Sequence, residues 1–446
     1  MNNGKQEAQI FSSKVDDHFY WKGIHKPLYH QIREHGKGAA AKQVAAEMEI
    51  VDKRKMSYGP PIIINKEYTN YIRRFCAAYH RLIEEVMKNY VRNEDIQKIL
   101  TIPKELKRFS LQNIGDIDYK ITYCRPDLLP VDGGHFYVLE TNADCPGGPM
   151  AAGIHNRLWR KVLSEVSLPT PMPLEEPTWF ADWMIKLRRE WSDEEFETFA
   201  LFSTDYRYEL DEMRNSLERR GINVIEIDPR KLETDSDQNV LADGKRVDFG
   251  YQKFDIPDCC QMYQDLTVFF DAISNKKMFV QNGMLAKLVG DNKLCLAVLT
   301  DSRFSHLFDK DDLELVEPHL IWTRNISLCD QKTINEILGE KDRYVLKKPI
   351  EAQGKGVIIG KDIKKNEEWS NLVSSATDMG WLVTEYREPA SIHHQFDTDS
   401  VCYHDLCTFL IDGQLVGADA RSSPNRRMNV ALGGSIHAAF FEDETA

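Results

Sequence analysis

Segment 136–148 constrains this chain most, because it joins an apolar strand to a row of oxygen-bearing side chains. The strand ends in Glu140, Asn142 and Asp144, and a Pro-Gly-Gly turn then leads into a predicted helix that begins near Met150. Side chains on alternate residues of a strand point the same way. Carboxylate and amide oxygens are ligands that Mg2+ prefers, so the pattern favours a metal site. A strand end with an Asx turn is the simpler alternative.

A second informative segment, 343–360, predicts a strand, a glycine-containing turn and another strand at 357–359. Gly354 and Gly356 let backbone N–H groups approach an anion closely. Lysines on the strand and in the turn supply positive charge for a triphosphate. The segment is not a P-loop, because no Gly-Lys-Ser/Thr sequence opens a helix. A β-hairpin with a basic exposed turn is an equally good interpretation of this segment alone.

Taken together, the two segments resemble the metal and nucleotide elements of ATP-grasp ligases. Ordinary ATP-grasp chains place the nucleotide lysines before the Glu-x-Asn metal strand, whereas here that strand comes first. This order is similar to the permuted branch typified by glutathionylspermidine synthase. The matching residues, spread over positions 113–440, are Arg125-Pro-Asp127, Glu140-Thr-Asn142-Ala-Asp144, Asn292-Lys293, Lys348-Pro349, Gly354-Lys355-Gly356, Glu385-Tyr386 and Asp419-Ala-Arg421.

The resemblance implies ATP and Mg2+, with two ions, as cofactors. It implies three kinds of site residue: metal ligands, groups that bind the nucleotide, and two arginines that stabilise the transition state. The metal ligands would be Asp127, Glu140 and Asn142. The groups that bind the nucleotide would be Lys293, Lys348, Gly354, Lys355, Gly356, Glu385 and Tyr386. The two arginines are Arg125 and Arg421. Lys347 alternates with Lys348 on the strand, and the pattern does not decide which of them faces the nucleotide.

The chain also departs from that family beside the metal strand. Cys145 and the Gly147-Gly148 pair replace the threonines around the proline, next to the expected substrate pocket. Asp144 is interpreted as a group behind the metal ligands or as a helix cap, and Cys145 as small buried packing. The resemblance therefore implies the fold more firmly than the substrate.

The predicted fold class is mixed α/β and α+β, an ATP-grasp fold in permuted order. We predict four regions. Residues 1–112 form a helical N-terminal region, and residues 113–175 form the metal-binding part of the ATP-grasp core. Residues 176–290 form a Rossmann-like domain, and residues 291–446 form the nucleotide-binding part of the core. In the first region, an apolar stripe at three- and four-residue steps predicts one amphipathic helix. In the third, strand, helix and strand patterns over residues 199–227 predict a parallel unit, and no glycine fingerprint marks it as dinucleotide-binding.

Composition narrows the class of protein. The net charge of −13 over 446 residues argues against a nucleic-acid partner. The first residues lack an apolar signal-peptide core, and no apolar run is long enough to cross a bilayer, so we expect a cytoplasmic protein without a membrane partner. Nine cysteines, an odd number, indicate reduced thiols. The His and Cys residues at 393–407 lack zinc-ligand spacing.

The leading functional hypothesis is an ATP-dependent carboxylate–amine ligase that forms an amide bond through an acyl phosphate and releases ADP and phosphate. Its substrates would be a small carboxylate and an amine, such as an amino acid, a peptide or a polyamine. One alternative is transfer of the acyl group to the thiol of an acyl carrier protein. Another is a pseudo-ligase that binds nucleotide without chemistry, which the full set of metal-type and arginine residues opposes.

Overall fold

The structure is a computed structural model that describes residues 21–52, 56–192, 198–205, 207–351, 354, 356–396, 400–428, 430 and 433–443. Its α-helices are α1 (Lys26–His35), α2 (Ala39–Asp52), α3 (Lys66–Tyr90), α4 (Glu94–Ile99), α5 (Lys104–Leu111), α6 (Pro149–Val162), α7 (Trp179–Trp191), α8 (Tyr208–Arg219), α9 (Ile256–Gln261), α10 (Thr267–Ser274), α11 (Cys295–Leu299), α12 (Lys310–Val316), α13 (Gln331–Gly339) and α14 (Asn366–Asp378).

The strands are β1 (Ser57–Tyr58), β2 (Ile62–Ile64), β3 (Tyr123–Val131), β4 (His135–Asn142), β5 (Phe199–Phe202), β6 (Val224–Ile227), β7 (Glu233–Thr234), β8 (Val240–Ala242), β9 (Lys245–Arg246), β10 (Phe249–Gln252), β11 (Phe279–Val280), β12 (Thr323–Asn325), β13 (Tyr344–Lys347), β14 (Val357–Ile359), β15 (Leu382–Glu385), β16 (Ser391–His393), β17 (Val401–Ile411), β18 (Gln414–Ser423) and β19 (Ser435–Phe441).

The largest sheet joins early and late parts of the chain in the order β1-β19-β18-β17-β3-β4, with β16 beside β17 and β2 beside β19. Strands β3 and β4 form an antiparallel hairpin. Its turn contains Gly133 and Gly134, both at φ +86°, a backbone conformation that glycine adopts at little cost. Because β17 pairs with β3, the predicted metal strands lie next to the strand pair that carries Arg421.

The N-terminal region packs against this sheet and also contributes to it. The predicted amphipathic stripe is buried along α3, in Ile72, Phe75, Tyr79, Leu82 and Val86. The described part of this region is not helical throughout, since β1 and β2 pair in parallel with β19. These apolar residues lie in one hydrophobic core with the large sheet.

A second sheet, with the strand order β11-β10-β5-β6, is parallel throughout. Strand β5, helix α8 and strand β6 form the predicted strand–helix–strand unit. Helix α8 buries Leu210, Met213 and Leu217 in a core that also contains apolar residues of β5 and β10. The carboxyl ends of parallel strands meet at one edge of a sheet, where ligands commonly bind.

A third sheet, with the antiparallel order β12-β15-β13-β14, contains the predicted basic hairpin as β13 and β14. The later strands β17, β18 and β19 belong instead to the large sheet. The predicted nucleotide-binding part, 291–446, is therefore distributed over two sheets. The domain boundaries themselves stay a prediction.

None of the helices in the described ranges is both long enough and apolar enough to cross a membrane. All nine cysteines are free thiols, as the odd count predicts.

Three histidines, His155, His404 and His437, are buried next to the large sheet. Burial lowers the pKa of His404 to about 4 and the pKa values of His155 and His437 to about 3. In an unfolded chain the pKa of histidine is about 6.5. Between these values the unfolded state binds more protons than the folded state, so the stability that these groups contribute is lost as the pH falls.

We therefore expect His437→Gln to flatten the pH dependence of stability. Between pH 6 and pH 4, the free energy of unfolding of the wild type should fall by about 1.4 kcal/mol per pH unit more than that of the variant. Urea unfolding curves at several pH values measure this difference. Proton binding to the groups that both proteins share cancels when the two free energies of unfolding are subtracted. His306→Gln, at an exposed position, is the matched control. Parallel profiles for wild type and His437→Gln would contradict the prediction.

Candidate active site

A single cavity of about 1400 Å3 lies where the three sheets meet. The predicted site residues that the structure describes all line it: Arg125, Asp127, Glu140, Asn142, Lys293, Lys348, Gly354, Gly356, Glu385, Tyr386 and Arg421. Lys355 lies outside the described residues. The early oxygen-bearing strand and the late basic hairpin therefore face one space, although about 200 residues separate them in the chain.

A β-bulge aligns the predicted metal ligands. Asp127 lies directly opposite Glu140, whereas Leu128 lies opposite Val138, so Leu139 has no partner on β3. Without the bulge, regular pairing from the turn would put Asp127 opposite Leu139, and the two carboxylates would lie on different faces of the sheet. Bulges commonly reorient a side chain next to an active site. Asn142 lies opposite Arg125, and its side-chain amide donates to the Arg125 carbonyl at 3.1 Å.

Asp127 lies between two arginines. Its carboxylate accepts from Arg125 Nε at 2.7 Å and from Arg421 Nη2 at 2.9 Å. Burial alone would raise the pKa of Asp127, but the two guanidinium groups outweigh it and the pKa is lowered. Arg421 also donates to Asp405 Oδ2 at 2.6 Å, so two carboxylates and two arginines alternate across the sheet.

Glu140 makes an ion pair across the cavity wall with Lys293, with 3.2 Å between Nζ and Oε2. The Lys293 side chain is 6% exposed and that of Glu140 is 26% exposed. Burial acts to raise the pKa of Glu140, but Lys293 more than compensates, and the pKa is lowered. Glu140 is therefore a carboxylate at neutral pH, partly open to the cavity.

The two neighbouring lysines of the basic hairpin both line the cavity, which corrects the expectation that they point to opposite faces. Strand β13 ends at Lys347, so strict alternation does not extend to Lys348. Lys347 is buried, and its Nζ donates to the carbonyl of the bulged Leu139 at 3.2 Å. Lys348 is 43% exposed and lies 3.4 Å from Glu351. Lys347 is thus the lysine that contacts β4.

The turn of the basic hairpin has the glycine geometry that the sequence predicts. Gly354 and Gly356 have φ values of +68° and +81°, in the region that strains other residues. The Gly356 carbonyl accepts from the Lys348 backbone N–H at 3.1 Å. A Cβ atom on Gly356 would lie 2.8 Å from the Lys348 side chain, so this glycine also allows a close approach.

Two of the predicted nucleotide-binding residues, Glu385 and Tyr386, lie at the end of β15. The backbone N–H of Glu385 donates to the Trp322 carbonyl at 3.1 Å, and that of Tyr386 donates to the Arg343 carbonyl at 2.7 Å. Both N–H groups are therefore already used. A nucleotide base bound at these two residues would therefore contact their carbonyl oxygens and side chains.

The donor set fits Mg2+ that is bound together with a nucleotide. Asp127, Glu140 and Asn142 offer two carboxylates and one amide, the hard oxygen donors that Mg2+ prefers. Within the described residues, no three His, Cys, Asp or Glu side chains form a metal-binding cluster. Mg2+ usually keeps water and takes phosphate oxygens rather than filling an all-protein site, so this open set is suitable.

Asp144 and Cys145 contact the parallel-sheet region rather than the predicted metal ligands. Asp144 accepts from the backbone N–H of Ile256, the first residue of α9, at 2.7 Å, and its other oxygen lies 3.4 Å from Lys287 Nζ. The Asp144 carboxylate therefore helps to fix the start of α9, whose N-cap residue is Asp255, and its role behind the predicted metal ligands stays a prediction. Cys145 lines the cavity, and burial raises the pKa of its thiol, which opposes a thiolate nucleophile.

The sequence analysis assigned no role to several charged residues of the cavity. Asp405 and Asp419 lie on β17 and β18 beside the arginines, and burial raises the pKa of Asp419 to about 6. Glu209 and Lys253 form a buried ion pair of 2.7 Å at the edge of the parallel sheet. Glu209 also accepts from the backbone N–H of Gly148 at 2.9 Å, which fixes the turn after the metal strand.

The amino-acid sequence matches no family model and no curated protein. Among solved structures, a glutathione synthetase-like effector from Globodera pallida, in its apo form, is similar over 93% of this chain and 97% of its own, with a TM-score of 0.60 and 14% identity. D-alanyl-alanine synthetase A from Vibrio cholerae O1 biovar eltor covers 51% of this chain and 68% of its own, with a TM-score of 0.30 and 10% identity, too weak a likeness to support an argument.

At 14% identity the first likeness concerns the fold. The finer prediction, a permuted chain of the glutathionylspermidine synthase type, stays a prediction, as do the roles of the individual site residues. The chain has a mixed α/β fold similar to that of the glutathione synthetase-like effector.

Proposed function

We propose that the protein is an ATP-dependent carboxylate–amine ligase that forms an amide bond and releases ADP and phosphate. One observation supports this most: the oxygen ligands of β3 and β4 and the lysines of a separate sheet line the same cavity. Lys347 even bonds to the bulged carbonyl between the predicted metal ligands. A fold that resembles ATP-grasp enzymes agrees with this activity.

In the proposed reaction, the substrate carboxylate attacks the γ-phosphorus of ATP, which gives an acyl phosphate and ADP. The amine then attacks the acyl carbon, and phosphate leaves. Such a reaction depends mainly on positioning and on neutralising charge. Mg2+, held by Asp127, Glu140 and Asn142, would supply Lewis-acid stabilisation of the phosphate charge.

The protein's own groups would share the remaining tasks. Lys293, Lys347 and Lys348 are cations suited to phosphate oxygens. Arg125 and Arg421 present planar guanidinium forks beside the predicted metal ligands, where a transferring phosphoryl group or an acceptor carboxylate would lie. The paired carboxylates Asp127 and Asp405 hold these forks in place before any substrate binds, and such preorganised charge is effective in catalysis.

A two-substrate screen tests the proposal. We expect ADP release only when a carboxylate and an amine are supplied together, and we expect the amide by mass spectrometry. If the carboxylate of an active pair is labelled with 18O, one label should appear in the released phosphate, because the acyl phosphate returns that oxygen. An arm with a phosphopantetheinylated carrier protein detects thiol acylation instead. Nucleotide binding without ADP release in every arm would contradict the ligase and support a pseudo-ligase.

A further inference from the structure

One end of the cavity differs from the charged centre. It is lined by uncharged side chains of α2, α6, β1 and β19 and of the residue before β1, here called the apolar arm: Met48, Met56, Tyr58, Ala151, His155 and Ile436. Tyr58 lies opposite Ile436 in the strand register, and its ring is 5.0 Å from that of His155. Helix α6 connects the arm to the metal strands, because the helix begins directly after Gly148.

His155 carries a buried donor in this arm. Its Nε2 is 2.9 Å from the indole Nε1 of Trp159, and an indole N–H can only donate. Nε2 is therefore the acceptor, and in the neutral ring the proton lies on Nδ1. The residue is 1% exposed, and no described residue accepts a hydrogen bond from Nδ1. Burial lowers the pKa of His155 to about 3, so the ring is neutral at pH 7.

A buried N–H group without an acceptor is costly, and a ligand oxygen can remove that cost. We propose that the apolar arm binds an uncharged, apolar part of the substrate. Because Nδ1 of His155 has almost no accessible surface in this structure, a carbonyl-type oxygen of that part accepts from the Nδ1–H once the neighbouring side chains of the arm move aside. Gly148 and His155 are seven residues apart on the helix, or roughly 10 Å at 1.5 Å per residue. His155 therefore lies about two helical turns beyond the turn that follows β4.

The inference rests on the proposed function in one respect, that the ligand is called a substrate. Its test needs neither ATP nor turnover. The probes are cyclohexanone and methylenecyclohexane, which have similar shapes and differ in the acceptor oxygen. We expect cyclohexanone to shift the 15N resonance of His155 Nδ1 in the wild type. We also expect the ratio of the alkene Kd to the ketone Kd to fall about tenfold in His155→Phe, where the buried ketone oxygen has no donor.

Trp159→Phe is the matched second variant, since Trp159 touches His155 but does not line the cavity. Without the indole donor, His155 is free to change tautomer, and the ketone preference should fall part of the way. Three results would each overturn the inference. They are an equal Kd ratio in wild type and His155→Phe, no binding of either probe, and an Nδ1 resonance that does not move when the ketone is saturating. Probe binding as expected, with no ADP release in the two-substrate screen, would contradict the ligase function and leave the binding arm standing.

Discussion

Glu140→Gln is expected to reduce ADP release by at least about 100-fold, a loss typical of removing one electrostatic stabiliser from an active site. The substitution keeps the size of the side chain and an oxygen that accepts from Lys293, so the fold should be retained. We expect the free energy of unfolding to change by less than about 2 kcal/mol, the scale of one hydrogen bond to a charged group. The Mg2+ concentration needed for half-maximal rate should rise as well.

Glu175→Gln is the matched control for this substitution. Glu175 is a buried carboxylate that accepts from Arg160 Nη2 at 3.0 Å, and it does not line the cavity. This substitution also keeps an oxygen that accepts from its basic partner, so we expect a loss of stability similar to that of Glu140→Gln and normal turnover per folded molecule. Turnover of Glu140→Gln within about threefold of the wild type would show that Glu140 is not a metal ligand.

The sequence allowed the main elements of the site to be predicted because local patterns carry them. The alternation of Glu140 and Asn142, the glycines of the basic hairpin and the strand–helix–strand unit of the parallel sheet are all readable within short windows. The resemblance to a known fold then placed the two distant segments together. What local patterns lack is register, and register decides which side chains meet.

The pairing of Asp405 with Arg421 shows why register was missed. Asp412-Gly413, with φ values of +48° and +76°, is a hairpin turn signal, and uninterrupted pairing from it would put Ala420 opposite Asp405. A bulge after the Leu410–Leu415 pair leaves Val416 without a partner. The register shifts by one residue, and the arginine meets the carboxylate. The same kind of shift at Leu139 aligns Asp127 with Glu140, and neither bulge has a sequence signal of its own.

These two shifts give the site its charge pattern before any ligand binds. Glu140, Asp127, Cys407 and Asp419 form one row across four strands, and Arg421 and Asp405 form a pair two residues further along β18 and β17. Arg421, on β18, is held between two carboxylates. Arg125, on β3, is held by the Asp127 carboxylate and the Gly147 carbonyl. A charge held in this way costs little reorganisation when a substrate arrives.

Arg421→Met is expected to lower both stability and turnover, for different reasons. It leaves the Asp405 carboxylate, which is 1% exposed, without its guanidinium partner, and breaking such a pair costs about 3–5 kcal/mol. Turnover should fall by about 100- to 1000-fold if the guanidinium stabilises the transition state. Nucleotide affinity, measured by calorimetry, should change much less, since the lysines supply most of the charge facing the phosphates.

The double variant Arg421→Met/Asp405→Asn separates the two effects. Removing the second charge leaves no unpaired buried carboxylate at position 405, so most of the lost stability should return in urea titrations. Turnover should stay low, because the guanidinium is still missing. Recovery of turnover together with stability would mean that Arg421 only supports the sheet. Equal losses in turnover and nucleotide affinity would instead show that Arg421 acts in ground-state binding. Removing a group that acts only in the transition state lowers the rate without weakening nucleotide binding.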